Sequence, residues 1–292
     1  MVIVNVIGGL GNQMFQYALG RALSIQLNEP LRLDLSGFAG YGLHQGYELD
    51  KVFTCNPAIA SAAEVHELMG WRTNQLARKL LARNGLRFLR GNHFVVEPHF
   101  HYWPGIRKVS GPAYLQGYWQ SEKYFIDAAD AIRDDFTFRR PFSKTNAELA
   151  TRIGQTEAVS LHIRRGDYAS NRKTNATLGL CSPGYYRAAV RYIAERTQSP
   201  EFFVFSDDIA WAKDNIGIEY RCHYIDHNRG VESYNDMRLM SLCQHHIIAN
   251  SSFSWWGAWL NRHQEKTVVA PSKWFANNYL AGDLLPDTWV TL

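Results

Sequence analysis

The chain has 292 residues, 46% of them apolar and 20% charged, which is enough for one large domain or two medium ones with real cores and excludes intrinsic disorder. With 31 Lys and Arg against 27 Asp and Glu the net charge is +4, a mild balance that permits a phosphate-bearing ligand and makes no case for nucleic acid. The longest apolar runs are strand-sized, well short of the ~20 residues that cross a bilayer, and the four cysteines form no CxxC pair, so membrane-spanning, zinc-ribbon and dithiol classes drop out.

Met1 opens directly into the β-branched run Val2 to Ile7, with no basic leader or cleavage site, so a reduced cytoplasmic compartment is expected. A glycine loop, Gly8 to Asn12, follows, and from Met14 to Leu27 the apolar residues recur at helical spacing. Pro30 stops that helix and Leu31 to Leu35 returns as a strand, completing a βαβ unit of the Rossmann kind. From Ala58 to Arg90 the pattern turns helical and basic; Trp71 to Arg90 holds six Lys or Arg and no acid, which reads as a solvated helix face, with an anionic membrane surface as the alternative. Phe94 to Trp103 and Tyr114 to Trp119 are aromatic and extended, and Asp127 to Phe136 is helical.

Arg139-Arg140-Pro141-Phe142 breaks the pattern, and the domain boundary is set near residue 142. Beyond it, strands at Ala158 to Ile163, Phe202 to Phe205, His223 to Ile225, His246 to Ala249 and Thr267 to Ala270 alternate with helices near 184–197 and 232–244. That alternation predicts a parallel sheet covered on both faces. The fold class is therefore α/β, with Rossmann-like domains at 1–142 and 143–292 facing each other across a cleft.

Open α/β sheets bind ligands just past the carboxyl ends of their strands, and three such ends carry chemistry here. The first is His162-Ile163-Arg164-Arg165-Gly166-Asp167-Tyr168, where two guanidinium forks and a turn-permitting glycine suit a phosphate or pyrophosphate. A surface loop with an Asp–Arg salt bridge explains the same residues. The second is Ser206-Asp207-Asp208, where one carboxylate would accept from a guanine edge and the other would cap the next helix. No Asp-x-Asp occurs, which argues against a metal-dependent transferase. The third is Asn250-Ser251-Ser252-Phe253-Ser254, with hydroxyls and backbone N–H groups at a helix start, followed by Trp255, Trp256 and Trp259, which are expected to serve both core and cleft.

The N-terminal glycine loop departs from the dinucleotide fingerprint, because Met14 stands at the third glycine and no acid is convincingly spaced to read a ribose, Asp34 being the nearest. His99 and His101 share a strand face but lack a third ligand at metal spacing, so no metal is expected.

Taken together, GGLGNQMFQYA, LHIRRGDY, FFVFSDD and NSSFSWWGAWL, with YLQGYWQSEKYF and Tyr47-Glu48-Leu49 between them, resemble the bacterial α-1,2-fucosyltransferases of glycosyltransferase family 11 over almost the whole chain. The resemblance implies a GT-B fold and inverting transfer of L-fucose from GDP-β-L-fucose to the O2 of a galactosyl residue. It places Arg164 on the β-phosphate, with Arg165 assisting; residue chemistry alone leaves Asp167, His44, Glu48 or no protein base at all to take the acceptor proton, with Asp167 expected to orient the arginines instead. The donor set it implies is Gly11, Asn12, His162, Asp207, Ser251, Ser252 and Phe253; His44 and Glu48 fall on the acceptor side. No cofactor or metal is implied. The partners are GDP-fucose and a galactose-terminated oligosaccharide or lipid-linked glycan. Transfer to another linkage, a nicotinamide oxidoreductase and a non-catalytic carbohydrate-binding protein are the competing readings.

Overall fold

Val2, Ile3 and Val4 have no accessible surface, and this is why their strand, β1 (Val2–Asn5), lies mid-sheet. The computed structural model describes the chain except for residues 41, 43, 44 and 277–281 and the side chains at 75, 84, 87, 167, 170 and 173. Two compact units emerge, Met1–Arg139 and Arg140–Leu292. The first carries five parallel strands: β1, β2 (Leu31–Asp34), β3 (Ala58–Ile59), β4 (Phe94–Val96) and β5 (Ala113–Gln116), in the order β3-β2-β1-β5-β4. Its first helix spans Leu10–Leu27, so Gly11 and Asn12 lie in a helical turn where the sequence suggested a loop. Gly8 makes this entry possible: its φ is +83°, and a Cβ there would fall 2.7 Å from the Asn12 amide nitrogen.

The second unit has six strands, β6 (Glu157–Ile163), β7 (Pro200–Ser206), β8 (Cys222–Ile225), β9 (His245–Ile247), β10 (Val268–Ala270) and β11 (Val290–Thr291), all parallel and ordered β11-β10-β9-β6-β7-β8. Its topological switch lies between β6 and β9, where the strand order reverses as in doubly wound folds. Along β6, Val159, Leu161 and Ile163 join a core with Tyr186, Val190 and Ile193 of the helix Pro183–Ala194, while Ser160 and His162 point to the opposite face. On that face lies the helix Ser252–Leu260, packed against Tyr234–Leu242. Trp255, Trp256 and Trp259 are at most 3% exposed and pack on one another, which makes them core; the expected share in a cleft is not seen.

The basic run at 71–90 is less of a solvated face than expected. Arg78 pairs with buried Asp34, and the Arg90 guanidinium is buried against the carbonyls of Leu81 and Ala82. Among the described residues no helix is long and apolar enough to cross a membrane.

Candidate active site

At the β6–β9 switch the chain leaves the sheet twice. Past β6, Arg164 and Arg165 form the link to the helix Gly166–Ser170; past β9, Ile248 to Asn250 lead to the helix Ser252–Leu260. The adjacent strand β7 contributes Asp207 and Asp208, because His162 and Ile163 are in register with Phe205 and Ser206. Strand register thus assembles residues far apart in sequence.

Asp207 organises the arginine link. Its Oδ1 accepts from the Arg165 backbone N–H at 2.8 Å, and its Oδ2 faces Arg164 Nη1 at 2.9 Å. Asp208 caps the next helix, Oδ1 taking the Trp211 N–H at 3.1 Å, and its Oδ2 accepts from Arg165 Nε at 3.1 Å. The Arg165 guanidinium also lies 3.9 Å above the Trp211 ring. Each arginine thus has its own carboxylate and ring, Arg165 with Asp208 and Trp211 and Arg164 with Asp207 and, 5.5 Å away, the Tyr168 ring, and both side chains keep some exposure, 20% and 28%. A guanine edge would have to compete with both arginine contacts for Asp207.

His162 is buried and its Nδ1 has no partner among the described residues, an open hydrogen-bond position beside the site. Burial, with the Arg164 charge nearby, lowers its pKa to about 3, so it is neutral. Its ring lies 5.8 Å from that of Phe253 in the first turn of the helix Ser252–Leu260. Ser251 is the N-cap there, its hydroxyl accepting the Phe253 N–H at 3.3 Å, and Ser252 opens the helix. Asn250 fixes the approach through its amide, which donates to the Leu178 and Trp274 carbonyls at 2.8 and 3.1 Å. The side chain of Asp167 lies outside the described residues; its backbone is in the helix Gly166–Ser170.

In the first unit Gln13 joins two of the expected segments. Its amide donates to the Gly8 carbonyl at 2.9 Å and its Oε1 accepts the Glu48 N–H at 2.9 Å. Asn12 accepts from Gln120 at 2.7 Å. Glu48 is buried, which raises its carboxyl to about 7, and no described group hydrogen-bonds that carboxyl. His44 lies outside the described residues. Asp34 is fully engaged by Arg78, Tyr114 and the Ser36 N–H, which leaves it a poor ribose ligand.

Three polar arrangements escaped the sequence reading. Ser160, His246 and Asn261 form a buried chain, 2.8 Å from Ser160 Oγ to His246 Nδ1 and 2.7 Å from His246 Nε2 to the Asn261 amide, that ties β6 to β9 and the end of the Ser252–Leu260 helix. Asn146, Asn228 and Asp236 form another, and burial raises Asp236 to about 7. In the first unit Glu97, also raised to about 7 by burial, accepts the N–H groups of Tyr118 and Trp119 at 2.8 and 3.0 Å and holds Trp119 at a φ of +57°. The paired histidines in an apolar strand were the one legible signal. His99 and His101 have rings 6.1 Å apart, and no group of three metal-ligating side chains occurs among the described residues.

The sequence profile described as Glycosyl transferase family 11 matches residues 99–292, about two thirds of the chain. The chain belongs to glycosyltransferase family 11. Across its whole length this family 11 protein is 40% identical to an alpha-1,2-colitosyltransferase of Escherichia coli, covering 99% of it, and 33% identical to the O-antigen biosynthesis glycosyltransferase WbnK of Escherichia coli, with 98% of each chain covered. Among solved structures it resembles a point mutant of Arabidopsis thaliana FUT1 in complex with GDP, with a TM-score of 0.56 at 12% identity over 92% of this chain and 70% of that one. It also resembles the NodZ alpha-1,6-fucosyltransferase soaked with GDP-fucose, with a TM-score of 0.52 at 13% identity over 89% and 91%. These likenesses establish the two-domain GT-B-like fold for this family 11 glycosyltransferase.

Proposed function

We propose that this family 11 enzyme transfers L-fucose from GDP-β-L-fucose to the O2 of a terminal galactose in a glycan, with inversion and without a metal. The observation that carries the reading is Arg164, held by Asp207 at the doubly wound switch point with its guanidinium part-exposed, beside the helix start at Ser252. As the bond between the fucosyl C1 and the diphosphate breaks, its electron pair passes to the β-phosphate oxygen, and fixed cations and N–H dipoles stabilise the added charge. In this account Arg164 meets the β-phosphate, and the Ser251 to Phe253 turn and His162 line the rest of the donor. Asp207 and Arg165 act here as positioning residues, Asp207 holding Arg164 and the Arg165 backbone N–H, and Arg165 tied through Nε to Asp208.

The acceptor hydroxyl attacks C1 from the face opposite GDP and its proton leaves late in the step. Asp167, His44 and Glu48 are the candidates the sequence offers to take that proton.

A second donor has its own support. The relative that is 40% identical over the whole chain is named for colitose, which is L-fucose without the 3-hydroxyl. Purified protein in EDTA, offered GDP-fucose or GDP-colitose with a panel of β-galactosides, tests both. Acceptor-dependent GDP release with an α-1,2 product by NMR is expected. A different linkage, or no release with either donor, overturns the reading.

A further inference from the structure

The segment between Gly70 and Arg90 is inverted relative to an ordinary surface helix. In the helix Gln75–Leu81, Arg78 turns inward to buried Asp34, while Leu76 and Leu80, one turn apart, are 72% and 49% exposed. In the flanking turns Trp71, Phe88 and Leu89 are also exposed, Phe88 by 75%. These side chains belong to one folded lobe. Arg72 Nε donates to the Leu89 carbonyl at 2.9 Å, which ties the turn Gly70–Thr73 to Asn84–Leu89, and Arg90 fastens the end of the lobe to Leu81 and Ala82. Arginines inside and leucines, tryptophan and phenylalanine outside is a costly arrangement for a surface that meets only water.

The charge around this patch narrows what covers it. Lys79 and Arg83 are exposed within the lobe, and no Asp or Glu occurs from Trp71 to Arg90. Large apolar groups that include Trp and Phe, on a segment that carries cations and no acid, match the headgroup region of an anionic bilayer: apolar knobs enter the acyl boundary while ammonium and guanidinium groups meet lipid phosphates. A protein partner or a second copy of this chain would gain from the apolar groups but has no need for the exposed Lys79 and Arg83 beside them. We propose that the Trp71–Leu89 lobe is a peripheral anchor for an anionic membrane surface, with Trp71, Leu76 and Phe88 as inserted residues and Lys79 and Arg83 as lipid-phosphate contacts. The proposal goes beyond the transferase reading and holds whichever sugar is moved. It would place the enzyme where a lipid-linked acceptor is presented.

Flotation of the full chain with phosphatidylcholine vesicles, with and without phosphatidylglycerol, tests it. Wild type is expected to float with the anionic vesicles, and to lose that binding at high salt. Lys79→Ala or Arg83→Ala each weakens binding roughly fivefold. The double change Trp71→Ser with Phe88→Ser abolishes flotation while the thermal midpoint stays at the wild-type value, because both side chains are exposed. Absence of flotation with anionic vesicles at low salt overturns the proposal, as does flotation that survives the Trp71 and Phe88 changes. A dimer in solution that those two changes dissolve, without vesicle binding by wild type, would assign the patch to a second copy and overturn it equally.

Discussion

Asp207 Oδ2 lies 2.9 Å from Arg164 Nη1 across neighbouring strand ends, while Oδ1 of the same carboxylate takes the Arg165 backbone N–H. Both side chains are about a quarter exposed, so the pair contributes little to stability, on the order of 0–1 kcal/mol. Its value is geometric: it aims one guanidinium and fixes the turn that carries it.

That relationship separates two uses of Asp207. As a positioning residue, its replacement in Asp207→Ala lets Arg164 swing, and inhibition by GDP and by inorganic pyrophosphate should weaken together, by roughly tenfold or more. Preference for GDP over ADP should stay within about threefold, since no base contact is lost. If Asp207 instead reads guanine, pyrophosphate inhibition holds and the preference for GDP collapses.

Gly166 is fixed by contact rather than by backbone conformation. A Cβ at this position would lie 2.6 Å from Asp207 Oδ2, so Gly166→Ala must push that carboxylate off the arginines. The expected cost is about 1–2 kcal/mol of stability, and a drop of roughly tenfold or more in kcat/KM for the donor at saturating acceptor. Thermal melting with steady-state kinetics on one preparation checks both.

Asp236 gives a pH signature. Burial holds its proton in the folded chain up to about pH 7, against about 4 when unfolded. The stability it contributes is complete below about pH 4 and is lost as pH rises through about 7, where folding must charge a buried carboxylate. Glu48 and Glu97 shift the same way. Asp236→Asn removes one of these titrations, so urea midpoints at about pH 5 and about pH 8 should differ by less than in wild type, by about 1–3 kcal/mol in free energy. An unchanged difference would show that Asp236 is ionised in the folded chain.

The strands of the second unit were legible because parallel strands buried on both faces read as short apolar runs, and the chemistry at their ends followed from Arg164-Arg165 and Ser251-Ser252. The division of labour was not. Apart from the family resemblance nothing in the sequence separates the adjacent arginines; register with β7 gives each its own carboxylate, Asp207 for Arg164 and Asp208 for Arg165. Arg78 and Arg90 looked solvated because their partners, Asp34 and the carbonyls of Leu81 and Ala82, are fixed by tertiary packing and not by helical spacing. The two-residue strand Ala58–Ile59 is too short to show a period inside a helical stretch. Ser160, His246 and Asn261 meet only through strand pairing and helix return; the histidine pair in an apolar strand hints at a buried polar group but not at its partners.

The central claim is that Arg164 and the serine-capped helix start, and no metal, stabilise the departing GDP. The most direct test is kcat/KM for transfer by wild type and Arg164→Ala, each in EDTA and each with added Mg²⁺ or Mn²⁺. Wild type is predicted to be equally active in both conditions, and the variant, folded as judged by its melting temperature, to lose at least about tenfold in each, a cost of ~1.4 kcal/mol or more. Wild type that is inactive in EDTA and revived by metal, or an alanine variant within about tenfold of wild type, would contradict the account.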